Sequence, residues 1–357
     1  MSVIDSLSKG FQAVYRRWWL VLIPILLDSL LWLGPRLSVD QLLQEAIKTV
    51  DAQLNEMSSQ GDSAWVDSLR GTFQDAVSRY NAFAALRVGA LGVPSLLTWG
   101  GARLGSPPMY EALWVSFLGI ANMPDLMVSV SDARFAPPSV WQIPNQGTWL
   151  LLTLGLTLAG IGTGSIYLTS IWHSLGMAED PPPFWQRALQ LSRRFVLFLV
   201  VRAVALVILG IPLLMILALL SAISTGAAML FGTIALGLGT WLSFYGAFLA
   251  AALVTSDVSV WRAIWNSFNV VLRNFWSTLW LFALINLIGG GLTILWQRLS
   301  TGSWLTWIAI AGNAYIGSSL VAASLVFYQD RYQHWQQAII ELLSKTRQRM
   351  PERHDGS

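Results

Sequence analysis

From Phe195 to Leu220 the chain carries a single charged residue, Arg202, and comparable apolar runs begin near Trp18, Thr148, Ala227, Phe275 and Trp304. Several reach the ~20 residues that a helix needs to cross the hydrocarbon core of a bilayer. They are too continuous to be the one-sided helices of a soluble domain. Because hydrocarbon offers the backbone no hydrogen-bond partner, segments of this kind must close their bonds internally, as helices do. Composition agrees: 54% of residues are hydrophobic and only 11% charged, against about a quarter charged in a soluble domain. The expected fold class is all-α: a polytopic integral membrane helical bundle with about six transmembrane helices, amphipathic interfacial helices and an extracytoplasmic helical insertion. The formal charge of +3 is small, and the basic residues stand beside the spans, so they set topology and imply no nucleic-acid partner. The absence of cysteine excludes disulfides, thiolate catalysis and Cys-based zinc or iron-sulfur sites.

The sequence divides into four parts. Residues 1-34 hold an interfacial helix and the first span, and residues 35-146 form the extracytoplasmic helical insertion. Residues 147-328 supply a membrane bundle with five spans, and residues 329-357 make a basic amphipathic cytoplasmic tail. In the first part, Ile4, Leu7, Phe11, Val14 and Tyr15 share a helical face, as in a helix lying on a membrane surface. The span that follows, about Trp18 to Gly34, has no small-x-small cleavage site before Pro35 and reads as a retained signal anchor. The later spans run from about Thr148 to Leu175, Phe195 to Leu220, Ala227 to Thr255, Phe275 to Trp296 and Trp304 to Tyr328. Arg16, Arg17, Arg187, Arg193, Arg194, Arg262 and Arg273 all fall on one side of this layout, while the short loops opposite hold only Arg298. The positive-inside rule then puts both termini in the cytoplasm of a plasma (inner) membrane protein. The tail, with Tyr332, Trp335, Ile339, Leu342 and Leu343 on one side, is expected to rest on anionic lipid.

Within the insertion, Ser38 to Gln41 reads as a capping box opening a helix with Val39, Leu42, Leu43, Ala46, Ile47, Val50 and Leu54 on one face. A second helix carries Val66, Leu69, Phe73, Ala76, Val77, Tyr80 and Phe83 at helical spacing, and the two form a hairpin outside the membrane. Two further apolar stretches, Ala82 to Gly100 and Tyr110 to Val128, are interrupted by Arg87, Pro94, Pro124 and Asp125. Each interruption is costly in lipid, so these stretches are expected to be interfacial or re-entrant, not spanning.

Three spans start alike, at Arg16-Arg17-Trp18-Trp19, Arg193-Arg194-Phe195 and Arg273-Asn274-Phe275-Trp276, each behind a short amphipathic segment. Either these are true parallel repeats, or they share only a generic way of entering a membrane.

Asp28 lies about 15 Å beyond Arg17 at the helical rise of about 1.5 Å per residue. An intramembrane carboxylate is a functional candidate by default. Arg202 falls at a comparable depth beyond Arg194, so Asp28 and Arg202 form a candidate intramembrane polar pair, either structural or part of a relay. Asn286, Asn313 and Tyr315 are candidates for interhelical hydrogen bonds. Gly160 and Gly164, and the series Gly239, Ser243, Ala247 and Ala251, place small residues at four-residue spacing, which permits close helix packing. The histidines, His173, His334 and His354, have no partner at the spacing of a zinc ligand set. No phosphate loop, nucleophile elbow or zinc-protease signature occurs. No catalytic, cofactor-binding or metal site is expected.

The segment Trp261-Arg-Ala-Ile-Trp-Asn-Ser-Phe268, the following Arg273-Asn-Phe-Trp276 and the final Val326-Phe-Tyr-Gln-Asp330 resemble a loose group of uncharacterised bacterial six-span membrane proteins. That group includes the membrane domain of some glycerophosphoryl diester phosphodiesterases. The resemblance covers about Pro183 to Trp335 and implies a bacterial inner-membrane protein. No phosphodiesterase domain is attached and the 35-146 insertion lies outside the pattern, so catalysis is not carried over. The function expected is that of a non-catalytic scaffold, assembly or lipid-interacting factor, with membrane lipids and other membrane proteins as partners and no nucleic acid. The competing readings are a transporter or permease for a lipid or small molecule, and an intramembrane enzyme. Oligomeric state is not set by the sequence.

Overall fold

The structure, a computed structural model, describes residues 1–39, 81–88, 91–97, 139–177, 180–256, 258–299 and 304–349. The two helices expected between Val39 and Phe83 fall largely on residues 40–80, and the stretch from Tyr110 to Val128 on residues 98–138; both lie outside the described residues. What is described is mostly helical, and three of its helices are long and apolar enough to cross a membrane, or four if one bent pair counts as a span. This fits a membrane protein.

Helix α1 (Val3–Arg16) starts at a capping box: the Ser2 hydroxyl accepts from the Asp5 amide at 3.1 Å, and the Asp5 carboxylate accepts from the Ser2 amide at 2.8 Å. A single turn, Trp18–Val21, leads into α2 (Leu22–Leu33), which stops before Pro35. The chain then forms β1 (Arg36–Ser38). Far along the sequence, β2 (Val140–Gln142) pairs with it in parallel, Arg36 opposite Val140 and Ser38 opposite Gln142. The two ends of the insertion thus meet. Next come α3 (Gln146–Ser174), α4 (Phe184–Ile223), α5 (Thr225–Tyr245), α6 (Leu249–Thr255), α7 (Val260–Arg273), α8 (Phe275–Leu299) and α9 (Leu305–Arg349).

Helix α9 is the central post. Its apolar stretch is largely buried and rich in small residues, Ala309, Ala314, Ser318, Ser319, Ala322, Ala323 and Ser324 among them. Helices associating in lipid gain mainly from close packing, which small side chains permit. Helix α1 uses this: a Cβ added to Gly10 would stand 2.5 Å from both the Ser319 carbonyl oxygen and the Ala323 nitrogen. The buried strip of α1 is accordingly Ser6, Leu7, Gly10 and Val14, while Ile4 and Tyr15, expected on that face, point outward. The helix is docked in the bundle as much as it lies on a surface. Around the other end of α9, the Trp32 and Trp307 rings meet edge to face at 5.4 Å.

The three similar span starts do not fold alike. Between α7 and α8 the axis bends by 96°, at Asn274, whose side-chain amide donates to the Val270 carbonyl at 3.0 Å and so closes α7. Between α1 and α2 the break is the turn at Trp18–Val21. Helix α4 runs unbroken from Phe184 through Arg193 and Arg194 to Ile223, and Pro212 lies inside it. The second unit therefore lacks the hinge of the other two. Helix α9 is likewise continuous across residues 328–329, where bundle and tail were expected to part. At 45 residues and about 1.5 Å per residue, it is far longer than a bilayer is thick, and it carries the tail away from the spans in line with the last one.

Candidate functional site

The stretch from Ala82 to Gly100 is expected to be interfacial or re-entrant, and its described residues, 82–88 and 91–97, are threaded into the bundle. A short turn, Ala82–Leu86, is opened by Asn81, whose side chain accepts from the Phe83 amide at 3.2 Å and from the Leu37 amide of β1 at 3.1 Å. Beyond it, Val88, Leu91, Val93, Ser95, Leu96 and Leu97 are all buried. Gly92, at φ +64°, turns the backbone in a conformation that L side chains rarely adopt.

Glycines on two helices make room for this segment. A Cβ on Gly160 of α3 would lie 2.4 Å from the Leu86 carbonyl oxygen, one on Gly164 would lie 2.9 Å from the Leu91 side chain, and one on Gly317 of α9 would lie 2.4 Å from the Pro94 ring. Gly160 and Gly164 stand halfway along α3. The Gly160–Gly164 spacing therefore admits an irregular segment and not another helix. Non-helical backbone at this depth is tolerable only where protein surrounds it and satisfies it, and here protein does both.

Asp28 of α2 is the anchor. Its two carboxylate oxygens accept from the Ser95 hydroxyl and, at 2.8 Å, from the Leu96 amide. Arg87, on the same segment, donates from Nε to the Val93 carbonyl at 3.0 Å, and its charge acts on Asp28. Asp28 and Arg87 are each 0% exposed and Ser95 1%. A buried carboxylate with two donors and a nearby cation is stable where an isolated one would not be. The cluster fixes the segment to α2.

The sequence pairs Asp28 with Arg202, but the described hydrogen bonds of Asp28 come from residues 95 and 96. Arg202 is half-buried on α4, in a stretch where Val200, Val204, Val207, Ile208 and Leu209 are exposed. The two residues thus have different surroundings: Asp28 belongs to the packed interior and Arg202 to a helix whose most apolar window buries nothing. Asn286 donates to the Phe282 carbonyl of its own helix at 2.8 Å, not across helices. Asn313 is buried and its amide nitrogen has no hydrogen-bond partner among the described residues. Tyr315 meets α1 through its ring, edge to face with Phe11 at 6.2 Å.

Other polar groups tie the helices together. The Tyr167 hydroxyl donates to Ser318 at 3.0 Å, joining α3 to α9. Arg187 and Arg194 of α4 donate to the carbonyls of Val254, 2.7 Å, and Ser256, 3.0 Å, where α6 ends, and Arg17 donates to the His173 carbonyl at the end of α3, 3.2 Å. Cations at helix C-termini complement the negative end of the helix dipole. Residues chosen to mark the cytoplasmic boundary therefore also cap helices. None of these groups brings a nucleophile to a base in an open cleft, the arrangement that covalent catalysis requires. No family model matches this chain, and no similar protein was found among characterised sequences or solved structures, so the reading of the site rests on its own geometry.

Proposed function

We propose that this protein is a non-catalytic membrane scaffold or lipid-interacting factor of the bacterial inner membrane, built like the six-span group it resembles, with both termini cytoplasmic. Six apolar helices support that layout: Trp18–Leu33, α3, α4, α5 continued by α6, α8, and the first part of α9. The observation that carries the functional reading is the closed state of the polar interior. Asp28, Arg87 and Ser95 are buried, so their chemistry goes into holding residues 91–97 against α2. What the molecule offers outward is apolar or aromatic: the free face of α4 and α5, and Trp261 and Trp265 on α7. Tryptophans of this kind anchor at a membrane interface.

The competing reading, a transporter, draws its support from the same segment, because broken segments at mid-depth form the binding sites of many transporters. Cysteine scanning separates the two. The chain has no cysteine, so single substitutions Ser95→Cys and Leu96→Cys report cleanly. A scaffold leaves both unreactive toward a membrane-impermeant thiol reagent applied from either side. Labelling of either one in the folded protein reveals an aqueous path to Asp28 and defeats the scaffold reading.

A further inference from the structure

A basin of about 550 Å³ opens where α1 runs into α2, α3 ends and α9 leaves the core. Lys9, Arg16, Arg17, Gln12, Gln329 and Asp330 are on its walls. Its charges do not cancel. Asp330 is already engaged by the Met1 amino group at 3.4 Å, with Arg331 at 3.9 Å and the His334 ring at 3.7 Å. Arg17 is turned to the end of α3.

Lys9 and Arg16 form no ion pair among the described residues, although the exposed Asp5 carboxylate, one turn from Lys9, feels its charge. The Lys9 ammonium meets the Met1 sulfur at 3.2 Å, a weak acceptor. Arg16 takes part in no described hydrogen bond or ion pair. Seven residues apart on α1, they project from one side of the helix two turns from each other. Two cations over an open basin, with amide donors beside them, are the donor set that an oxyanion needs.

The level of the basin identifies the anion. Each wall changes from apolar to polar here: Arg17 precedes the Trp18 turn, Ser174 closes α3, and on α9 the buried Phe327 and Tyr328 give way to the exposed Gln333. In a bilayer such a boundary lies among the headgroups. We propose that this basin binds a phosphate-bearing anion, and that the phosphate of an anionic phospholipid headgroup is its source. The choice of a lipid source rests on the span layout proposed above, whereas the cationic basin does not.

The test uses the full-length protein in detergent. Native mass spectrometry follows its retention of phosphatidylglycerol against phosphatidylcholine, and calorimetry follows titration with inorganic phosphate. Phosphatidylglycerol is expected to be retained preferentially. The double substitution Lys9→Ala, Arg16→Ala is expected to weaken it about twenty-five-fold, roughly five-fold per cation. Exchanging the cations, Lys9→Arg with Arg16→Lys, keeps most of the binding, and Arg193→Ala, an exposed cation at the start of another span, changes nothing. Both substituted side chains are exposed, so the double variant melts with the parent. Inorganic phosphate that binds only when Lys9 and Arg16 are present, without any preference for phosphatidylglycerol, upholds the phosphate site and moves its source to solution. Equal retention of the two lipids with no phosphate binding, or a double variant that binds like the parent, overturns the proposal.

Discussion

Replacing Asp28 by alanine measures how far the buried cluster supports the fold. The substitution leaves the Ser95 hydroxyl and the Leu96 amide without their acceptor, and each unsatisfied buried donor costs about 1–3 kcal/mol. It also removes a negative charge whose field reaches the fully buried Arg87. These contributions overlap. Hydrogen bonds between membrane helices average only about 0.6 kcal/mol because freed groups find other partners, but a packed segment between α2, α3 and α9 has few to find. A loss of about 3–5 kcal/mol follows, or an apparent melting temperature lower by roughly 5–10 °C at fixed scan rate, read by size-exclusion survival after heating. Asp28→Asn keeps one acceptor and loses about half as much. Ser95→Ala added to Asp28→Ala recovers part of the loss, because removing both partners is cheaper than leaving one buried donor unsatisfied; the lost bond from the Leu97 amide keeps recovery incomplete. An Asp28→Ala protein that melts with the parent, or a double variant no better than the single, refutes the account of this cluster.

Gly160→Ala places a methyl group 2.4 Å from the Leu86 carbonyl oxygen and is expected to cost about 1–3 kcal/mol by overpacking. Gly155→Ala on the same helix meets nothing within 4 Å and is expected to be neutral or to stabilise by about 0.5–1 kcal/mol; paired thermal melts compare the two. The Asp5 carboxyl lies below its ordinary value of 3.8 because the adjacent Ser2 side chain and the Ser2 amide that donates to it stabilise its charged form. A depressed folded-state value means the capping box contributes above the ordinary value and is lost as pH falls through the lower one, so amide exchange at the start of α1 rises in that acid range and Asp5→Asn flattens the response. Single cysteines at Ala46 and Lys345 are expected to label from opposite sides of intact cells; labelling from one side removes the topology.

The all-helical class was legible because long apolar runs have only one way to close their backbone bonds. That residues 82–88 and 91–97 form no long helix was legible as well, because Arg87 and Pro94 interrupt the apolar stretch. Partner choice was not legible. Depth along a span told how far Asp28 lies from Arg17 but not which side of α2 it faces, and Arg202 shares a depth with it without sharing its surroundings. Ser95, an ordinary residue in a short loop, carries no sequence signal as a carboxylate's donor. The glycine pair on α3 announced close approach, yet spacing cannot say whether a helix or a loop approaches. The three Arg-aromatic starts looked equivalent because the residues that part them, Asn274 closing α7 and the helix-compatible Phe195 continuing α4, differ by little in composition.

Because the threaded segment is gripped both by α2, made early, and by Gly317 on α9, made after every other described helix, its native seat does not exist until α9 has been made. Until then Asp28 can hold Ser95 and Leu96, but Pro94 has no wall behind it. The arrival of α9 therefore shuts the bundle on both α1 and the loop at once. A ribosome-stalled chain ending before Leu305 should leave residues 81–97 open to proteolysis, and one extended through Tyr328 should protect them.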